Sequence, residues 1–254
     1  MFGSCSRHFV VVLLALSLTL GIFAAAPPSH AAPDDAANRV LVAPYLQRMT
    51  HDGVTILWET SGIASDRSIV EYGPARLGDL EPNLQLRATA RPADQVAART
   101  DGGVTHRVRL ASLSPATPYF YRVRLPDGSF SEAFSFQTAP PPEETARPVA
   151  FAVVSDSQNN AEVWGRIIEE VWRHRPEFVV HAGDLVGTGQ ITREWREEFF
   201  APAAGLMARV AMFSVLGNHE NDAANYYRYT DTPSPHHRHA MRWADTGLDW
   251  VPPS

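Results

Sequence analysis

Lysine is absent from this chain, and cysteine is nearly so: the basic side chains other than histidine are all arginine, and Cys5 is the single cysteine. With 22 arginines against 28 acidic residues the formal net charge is -6. An acidic balance gives no electrostatic reason to expect a nucleic-acid partner. Cys5 lies near the amino terminus, and if that segment is removed no thiol remains. We therefore expect neither disulfides nor thiol chemistry in the mature chain, whose stability must come from packing or a bound metal.

The first 32 residues have the pattern of a secretory signal peptide. Arg7 precedes an apolar run over residues 9–26, and small residues at 24–32 offer cleavage sites. The sequence thus predicts a secreted or periplasmic protein. An uncleaved membrane anchor is the competing interpretation, because the apolar run is close to the length that spans a bilayer. Only in that case do we expect contact with a membrane.

Residues 39–138 read as short strands separated by turns. Apolar and polar residues alternate over 54–59 and again over 106–110. Trp58 has the position of a buried core aromatic, and His51 and His106 have no cluster of candidate catalytic partners around them. The pattern predicts a β-sandwich domain that serves as a spacer or as a wall beside a neighbouring cleft.

Residues 113–123 resemble the corner of a fibronectin type III domain. In such a corner a tyrosine that follows a tight turn ties its hydroxyl back to the upstream backbone, and Tyr119 or Tyr121 would be that residue. The resemblance implies a fibronectin type III-like sandwich.

A proline-rich stretch at 139–148, with four prolines and two glutamates, predicts a linker between domains. Beyond it the periodicity changes. Apolar runs at 149–154, 178–181 and 211–216 alternate with amphipathic stretches at 161–174 and 192–200. Alternating strands and helices predict an α/β layer with a mostly parallel sheet, in a second domain that covers 149–254.

Each apolar run ends in a polar cluster, and these clusters contain Asp156, then Asp184, then Asn218. The carboxyl ends of parallel strands meet at one edge of a sheet, which is where open α/β folds place their sites. Two carboxylates and a carboxamide supply oxygen ligands for divalent metals, and a carboxylate can bridge two ions. The arrangement suits a two-metal centre for phosphoryl transfer, although Asp and Asn after a strand also commonly cap the next helix.

Asp156, the Gly-Asp pair that ends in Asp184, and the Gly-Asn-His-Glu tetrad at 217–220 resemble the first three motifs of the calcineurin-like metallophosphoesterases. The preceding sandwich resembles the N-terminal domain of purple acid phosphatases. The resemblance implies that Asp156 binds a first metal, Asp184 bridges both and Asn218 binds the second, the ions being divalent or mixed-valence Fe, Mn or Zn. It also implies that His219 is the catalytic residue facing the phosphate and that Glu220 orients His219 or a ligand.

The sequence departs from the family at two positions in these motifs. Gly187 stands where purple acid phosphatases have the iron-binding tyrosine, so their coloured iron-tyrosinate chemistry is not expected. Gln158 stands where many members have a metal-binding histidine two residues after the first aspartate. Gln158 is a candidate oxygen ligand, with a turn-forming role as the alternative.

A further family feature, a lone histidine followed by a Gly-His-x-His cluster, is not found in the sequence. The later histidines, His236, His237 and His239, lie among prolines without a strand pattern. We therefore expect a catalytic domain that is truncated after its first half-sheet, with an exposed apolar sheet face, weak metal binding, and turnover that is very slow or absent.

These features predict an exported metal-dependent hydrolase of phosphate mono- or diesters, in which a β-sandwich precedes the first half of a metallophosphoesterase α/β sandwich. The expected substrates are phosphorylated small molecules or polymers. Two alternatives remain open: an exported binding or adhesive module with a degenerate phosphoesterase half, and an inactive fragment.

Overall fold

The structure is a computed structural model that describes residues 39–61, 68–76, 82–89, 103–144 and 146–231. The chain divides into two compact units, Met1–Ala32 and Pro33–Ser254. The signal-peptide prediction falls on the first unit, which lies outside the described residues. Within the described ranges, no helix combines the length and apolar character needed to cross a bilayer.

The amino-terminal part of the second unit is built from two antiparallel sheets. In one, β2 (Gly53–Ser61) lies between β1 (Val40–Gln47) and β5 (Gly103–Ala111). The other has the order β4 (Leu86–Thr89), β3 (Ile69–Pro74), β6 (Pro118–Val123) and β7 (Phe134–Gln137). The predicted β-sandwich is therefore confirmed.

Aromatic side chains fill the sandwich core. Trp58 is fully buried and stacks on His106, its cross-strand partner, with ring centroids 4.7 Å apart. The predicted corner is made by Tyr119, whose hydroxyl accepts a 2.9 Å hydrogen bond from the Ser114 N–H. Tyr121 has a different partner: its hydroxyl donates to the Ala208 carbonyl at 2.8 Å, in the second part of the unit.

The second part contains the predicted parallel sheet. β9 (Phe178–His181) lies between β8 (Phe151–Val154) and β10 (Ala211–Ser214). Helix α1 (Ala161–Arg173) begins at Asn160, whose side-chain oxygen accepts a 3.0 Å hydrogen bond from the Val163 N–H.

The predicted helix at 192–200 is longer and less regular than its periodicity indicated. A short turn, α2 (Thr192–Glu194), leads into a π-helix (Trp195–Phe200) and then into α3 (Ala201–Met207). The wider winding buries Trp195, Phe199 and Phe200 together. The last described helix is α4 (Ala224–Tyr229), which three residues separate from the end of the Gly-Asn-His-Glu tetrad.

A hydrophobic cluster separate from the sandwich core spans the two parts. Val42, Tyr45 and Leu57 from the sandwich pack in the same cluster as Trp164 and Phe200 from the α/β layer. On the opposite side of the parallel sheet, Phe151, Val153, Phe213 and Val215 are 40% to 62% exposed. The prediction that an apolar face of this sheet is exposed is thus confirmed within the described residues.

Candidate metal centre

The three polar clusters lie at the carboxyl edge of the parallel sheet, directly after β8, β9 and β10. The Asp156 N–H donates to the Gly183 carbonyl at 3.2 Å, which joins the first loop to the second. Asp156 and Asp184 both adopt left-handed backbone conformations, with φ of 55° and 56°. Such angles are uncommon outside glycine and concentrate at functional sites, where the surrounding structure maintains them.

The second and third loops approach each other through two glycines. A Cβ on Gly183, where φ is 103°, would lie 2.9 Å from the Gly217 backbone. A Cβ on Gly217 would lie 2.1 Å from the Asp184 carboxylate oxygen. Because neither position has room for a side chain, the glycines of both motifs allow the Asp184 carboxylate to lie against the third loop.

Glu220 holds these two loops together. Its carboxylate is fully buried and accepts hydrogen bonds of 2.7 to 3.2 Å from four backbone N–H groups, those of Gly217, Asp184, Leu185 and Val186. The expectation that Glu220 orients a neighbour therefore takes a specific form. Glu220 fixes the backbone of Asp184 rather than the side chain of His219.

His219 is oriented by the second loop. Its Nδ1 lies 2.8 Å from the Gly187 carbonyl oxygen and donates to it, and its backbone N–H donates to Asp184 Oδ1 at 2.9 Å. The hydrogen bond to Gly187 raises the pKa of His219 above its ordinary value of 6.5. With Nδ1 occupied, Nε2 is the ring nitrogen available for a further hydrogen bond.

Gly187 stands where purple acid phosphatases have a tyrosine, and its backbone carbonyl accepts the hydrogen bond from His219 Nδ1. A Cβ there would lie 2.5 Å from Asn159 Oδ1, so a side chain would require Asn159 to move. The loop is thus shaped around the absence of a side chain at this position.

The donor set that a metal would meet consists of oxygens. Asp156 and Asn218 are exposed, whereas Asp184 and Gln158 are partly buried. The Gln158 Oε1 atom is buried and has no hydrogen-bond partner among the described residues. A buried carbonyl oxygen without a donor is suited to bind a cation. In the chemistry of their donors, these residues suit an oxygen-ligated divalent ion.

No group of three or more His, Cys, Asp and Glu side chains placed to hold a metal occurs within the described ranges. Two of the four candidate ligands are carboxylates, Asp156 and Asp184. The other two, Asn218 and Gln158, are carboxamides. His236, His237 and His239 lie outside the described residues.

His181, the last residue of β9, is buried beneath the site. Its Nε2 lies 3.0 Å from the Ser157 hydroxyl, which donates to the Leu185 carbonyl at 2.9 Å. Burial lowers the pKa of His181 to about 4, against the opposing fields of Asp156 and Asp184. A neutral His181 therefore links the first loop to the second.

Sequence reasoning missed a buried ionic network between the sandwich and the site's supporting helices. Glu59, on β2, is fully buried. Its carboxylate accepts two 2.9 Å hydrogen bonds from Arg196 of the π-helix, a bond from Arg228 of α4, and a 2.9 Å bond from the Tyr229 hydroxyl. The partners are 137 to 170 residues from Glu59, so no local pattern could have revealed them.

α4 in turn supports the loop that carries Gly187. The Asn225 side-chain amide donates to the Gly189 and Gln190 carbonyls at 3.0 and 3.1 Å, and the Gly189 N–H donates to the His219 carbonyl at 3.0 Å. A continuous set of contacts therefore runs from Glu59 through α4 to the loops around His219.

Family models match both parts of the chain. Residues 42–138 match the family described as purple acid phosphatase, N-terminal domain, and residues 149–252 match the calcineurin-like phosphoesterases. A search of curated proteins found no match.

Among solved structures, the sensor domain of an anti-sigma factor from Pseudobacteroides cellulosolvens is 16% identical, with a TM-score of 0.27; the match covers 44% of this chain and 100% of that one. A redesigned β-sandwich protein is 17% identical, with a TM-score of 0.24 and coverage of 38% and 90%. Vertebrate astrotactin-2 is 16% identical, with a TM-score of 0.28 and coverage of 52% and 25%.

Proposed function

We propose that this chain, whose two parts match the purple acid phosphatase N-terminal domain and the calcineurin-like phosphoesterases, is an exported, metal-dependent hydrolase of phosphate mono- or diesters. Phosphoester hydrolysis is the ancestry of its second domain, and that ancestry implies phosphorylated substrates. The observation that carries the proposal is the Glu220 carboxylate, which fixes the backbone around Asp184 and Gly217 at the carboxyl edge of the sheet.

Asp156, Asp184, Asn218 and Gln158 would hold the metal centre, which in this family is usually dinuclear. Bound metal would supply positive charge to neutralise the phosphate and to acidify an attacking water. Oxygen donors bind iron, manganese and zinc, so the assay below includes all three metals.

His219 would meet the phosphate or its leaving group through Nε2. The ring is held by the Gly187 carbonyl at Nδ1, and its backbone N–H is hydrogen-bonded to the proposed bridging carboxylate of Asp184. This pair of contacts ties a proton-carrying group to the metal-binding loop, as general acid chemistry at a leaving oxygen requires.

The test is hydrolysis of aryl phosphate mono- and diesters by the purified chain with added Mn²⁺, Zn²⁺ or Fe²⁺. We expect slow turnover that depends on metal, is abolished by chelator and falls to background in Asp184→Ala. Asp127→Ala, which changes an exposed turn aspartate of the sandwich, is the matched control and should retain activity. Turnover that survives both chelator and Asp184→Ala would refute the proposal.

A binding or adhesive role through the sandwich is the second candidate. It is favoured by the small number of strong metal ligands at the strand ends. Among the described residues, no group of three or more His, Cys, Asp and Glu side chains is placed to hold a metal. Under this alternative no metal restores hydrolysis, and the chain stays folded and retains its partner in chelator.

A further inference from the structure

A cavity of about 740 Å³ lies at the other end of the parallel sheet, away from the candidate metal centre. It is bounded by Phe178 and Ala211, the first residues of β9 and β10, and by Thr138 to Pro140, where the chain leaves the sandwich. β9 has four residues, which span roughly 10 Å at the usual rise of a strand. The cavity is therefore separate from the loops at the opposite edge, and it has the size of a small-molecule site.

One wall of the cavity is apolar. Val149 and Phe213 are 49% and 40% exposed, and Phe213 meets the ring of Phe178 edge-on, with centroids 5.9 Å apart. Large side chains left open to solvent beside a concavity provide favourable contact area for an apolar body.

The rest of the lining is rich in arginine. Arg147 forms an ion pair with Glu177, so these two charges offset each other. Arg175 and Arg209 also line the cavity, and within the described residues neither is paired with a carboxylate. Two guanidinium groups thus remain uncompensated around one concavity.

Contacts with an aromatic ring orient both of these arginine side chains. Arg175 follows the end of α1 in a left-handed conformation, with φ of 50°, and its guanidinium lies 4.7 Å from the centre of the Trp172 ring. Arg209 donates to the Gly205 carbonyl at 3.0 Å and lies 5.2 Å from the centre of the Phe134 ring. Stacking on an aromatic ring holds a guanidinium while leaving its N–H edges available for planar oxyanions.

We propose that this cavity binds an organic dianion with an apolar body, such as an aryl disulfonate or an aryl phosphate. Arg175 and Arg209 would contact its oxyanions, and the Val149, Phe178 and Phe213 wall would contact its rings. Guanidinium groups suit such ligands because they donate two parallel hydrogen bonds to an oxyanion. The site is independent of the metal centre and of the proposed hydrolase activity.

The test uses 1,5-naphthalenedisulfonate, a dianion without a phosphoester bond, and isothermal titration calorimetry on the full chain. We expect saturable one-to-one binding that weakens at least tenfold in the double variant Arg175→Gln/Arg209→Gln. Arg173→Gln is the matched control: this exposed arginine on α1 pairs with Glu170 and is not part of the cavity lining, so its affinity should equal that of the unchanged chain.

Two further variants separate this cavity from other surfaces. Asp184→Asn should bind the probe as the unchanged chain does, because it alters the opposite edge of the sheet. Val153→Ser, on the exposed sheet face, should also leave the affinity unchanged. Absence of binding at millimolar probe, full affinity in the double arginine variant, or loss of binding in Asp184→Asn or Val153→Ser would each overturn the proposal.

Discussion

Glu59 and Glu220 are both fully withdrawn from solvent, yet they are stabilised in different ways. Glu59 is surrounded by the guanidinium groups of Arg196 and Arg228 and by a tyrosine hydroxyl. The hydrogen bonds of Glu220 come from four backbone N–H groups. One carboxylate is neutralised by opposite charge, and the other is solvated by peptide dipoles.

The difference separates two tasks. Glu59 joins side chains from distant parts of the chain, so it fixes how the sandwich meets the π-helix and α4. Glu220 joins backbone segments, so it fixes the shape of two loops and leaves their side chains available for ligands. The comparison teaches that charge pairing, beside the shared apolar cluster, helps to fix the domain interface, whereas the candidate site depends on backbone geometry.

The largest effect is expected from Glu59→Ala. Removing this carboxylate leaves Arg228 buried without its anionic partner, a change that typically costs about 3–5 kcal/mol in the free energy of unfolding. Urea denaturation measures it. Glu71→Ala is the matched control, because Glu71 pairs with the more exposed Arg87 and Arg122 and should cost only about 1 kcal/mol. Equal losses of unfolding free energy in the two variants would show that the buried Glu59 network stabilises the fold no more than the Glu71 pairs do.

Glu220→Ala should come next, at about 2–3 kcal/mol, because backbone donors at the site lose their acceptor and water replaces it in part. The more specific readout is amide hydrogen exchange. Exchange should quicken at Asp184, Leu185, Val186 and Gly217 while the amides of β2 and β5 stay protected. Uniform acceleration across the chain would mean that Glu220 supports the whole fold rather than these loops.

His106 sharpens the comparison through pH. It is buried against Trp58, and burial lowers its pKa from 6.5 to about 4, with Glu59 opposing the shift. Below pH 6.5 His106 is protonated in the unfolded chain but stays neutral in the folded chain. The free energy of unfolding therefore decreases as the pH falls toward 4. At pH 5 the loss should be about 2 kcal/mol. In His106→Gln the difference in unfolding free energy between pH 7 and pH 5 should shrink by that amount; an unchanged difference would refute the assignment.

Tyr119→Phe is expected to have the smallest effect, about 1 kcal/mol, because it removes one hydrogen bond at the sandwich corner. Tyr121→Phe removes the bond to Ala208 and should cost a similar amount, but at the contact with the α/β layer. Thermal unfolding compares the two. A stability gain in Tyr119→Phe would show that the corner hydrogen bond is not stabilising.

The alternation of strands and helices along residues 149–216 and the placement of the motifs were predictable because they follow from local pattern. The alternation around Trp58, the corner tyrosine and the polar residues after each apolar run are all readable over a few positions. The Glu59 network was not, because its partners meet only when the domains pack together. The sequence indicated that Glu220 orients His219 or a ligand, but it could not show which, because a sequence does not reveal which backbone donors surround a carboxylate. The π-helix escaped notice because its apolar residues fit an ordinary helix equally well.

The central claim is that the strand-end loops form a metal site, and an anomalous difference map from crystals soaked in Mn²⁺ tests it most directly. We predict a peak at the Asp184 carboxylate, within ligand distance of Asp156 or Asn218, that disappears in Asp184→Asn crystals treated in the same way. A map with no peak at this edge of the sheet, or a peak unaffected by Asp184→Asn, would contradict the claim.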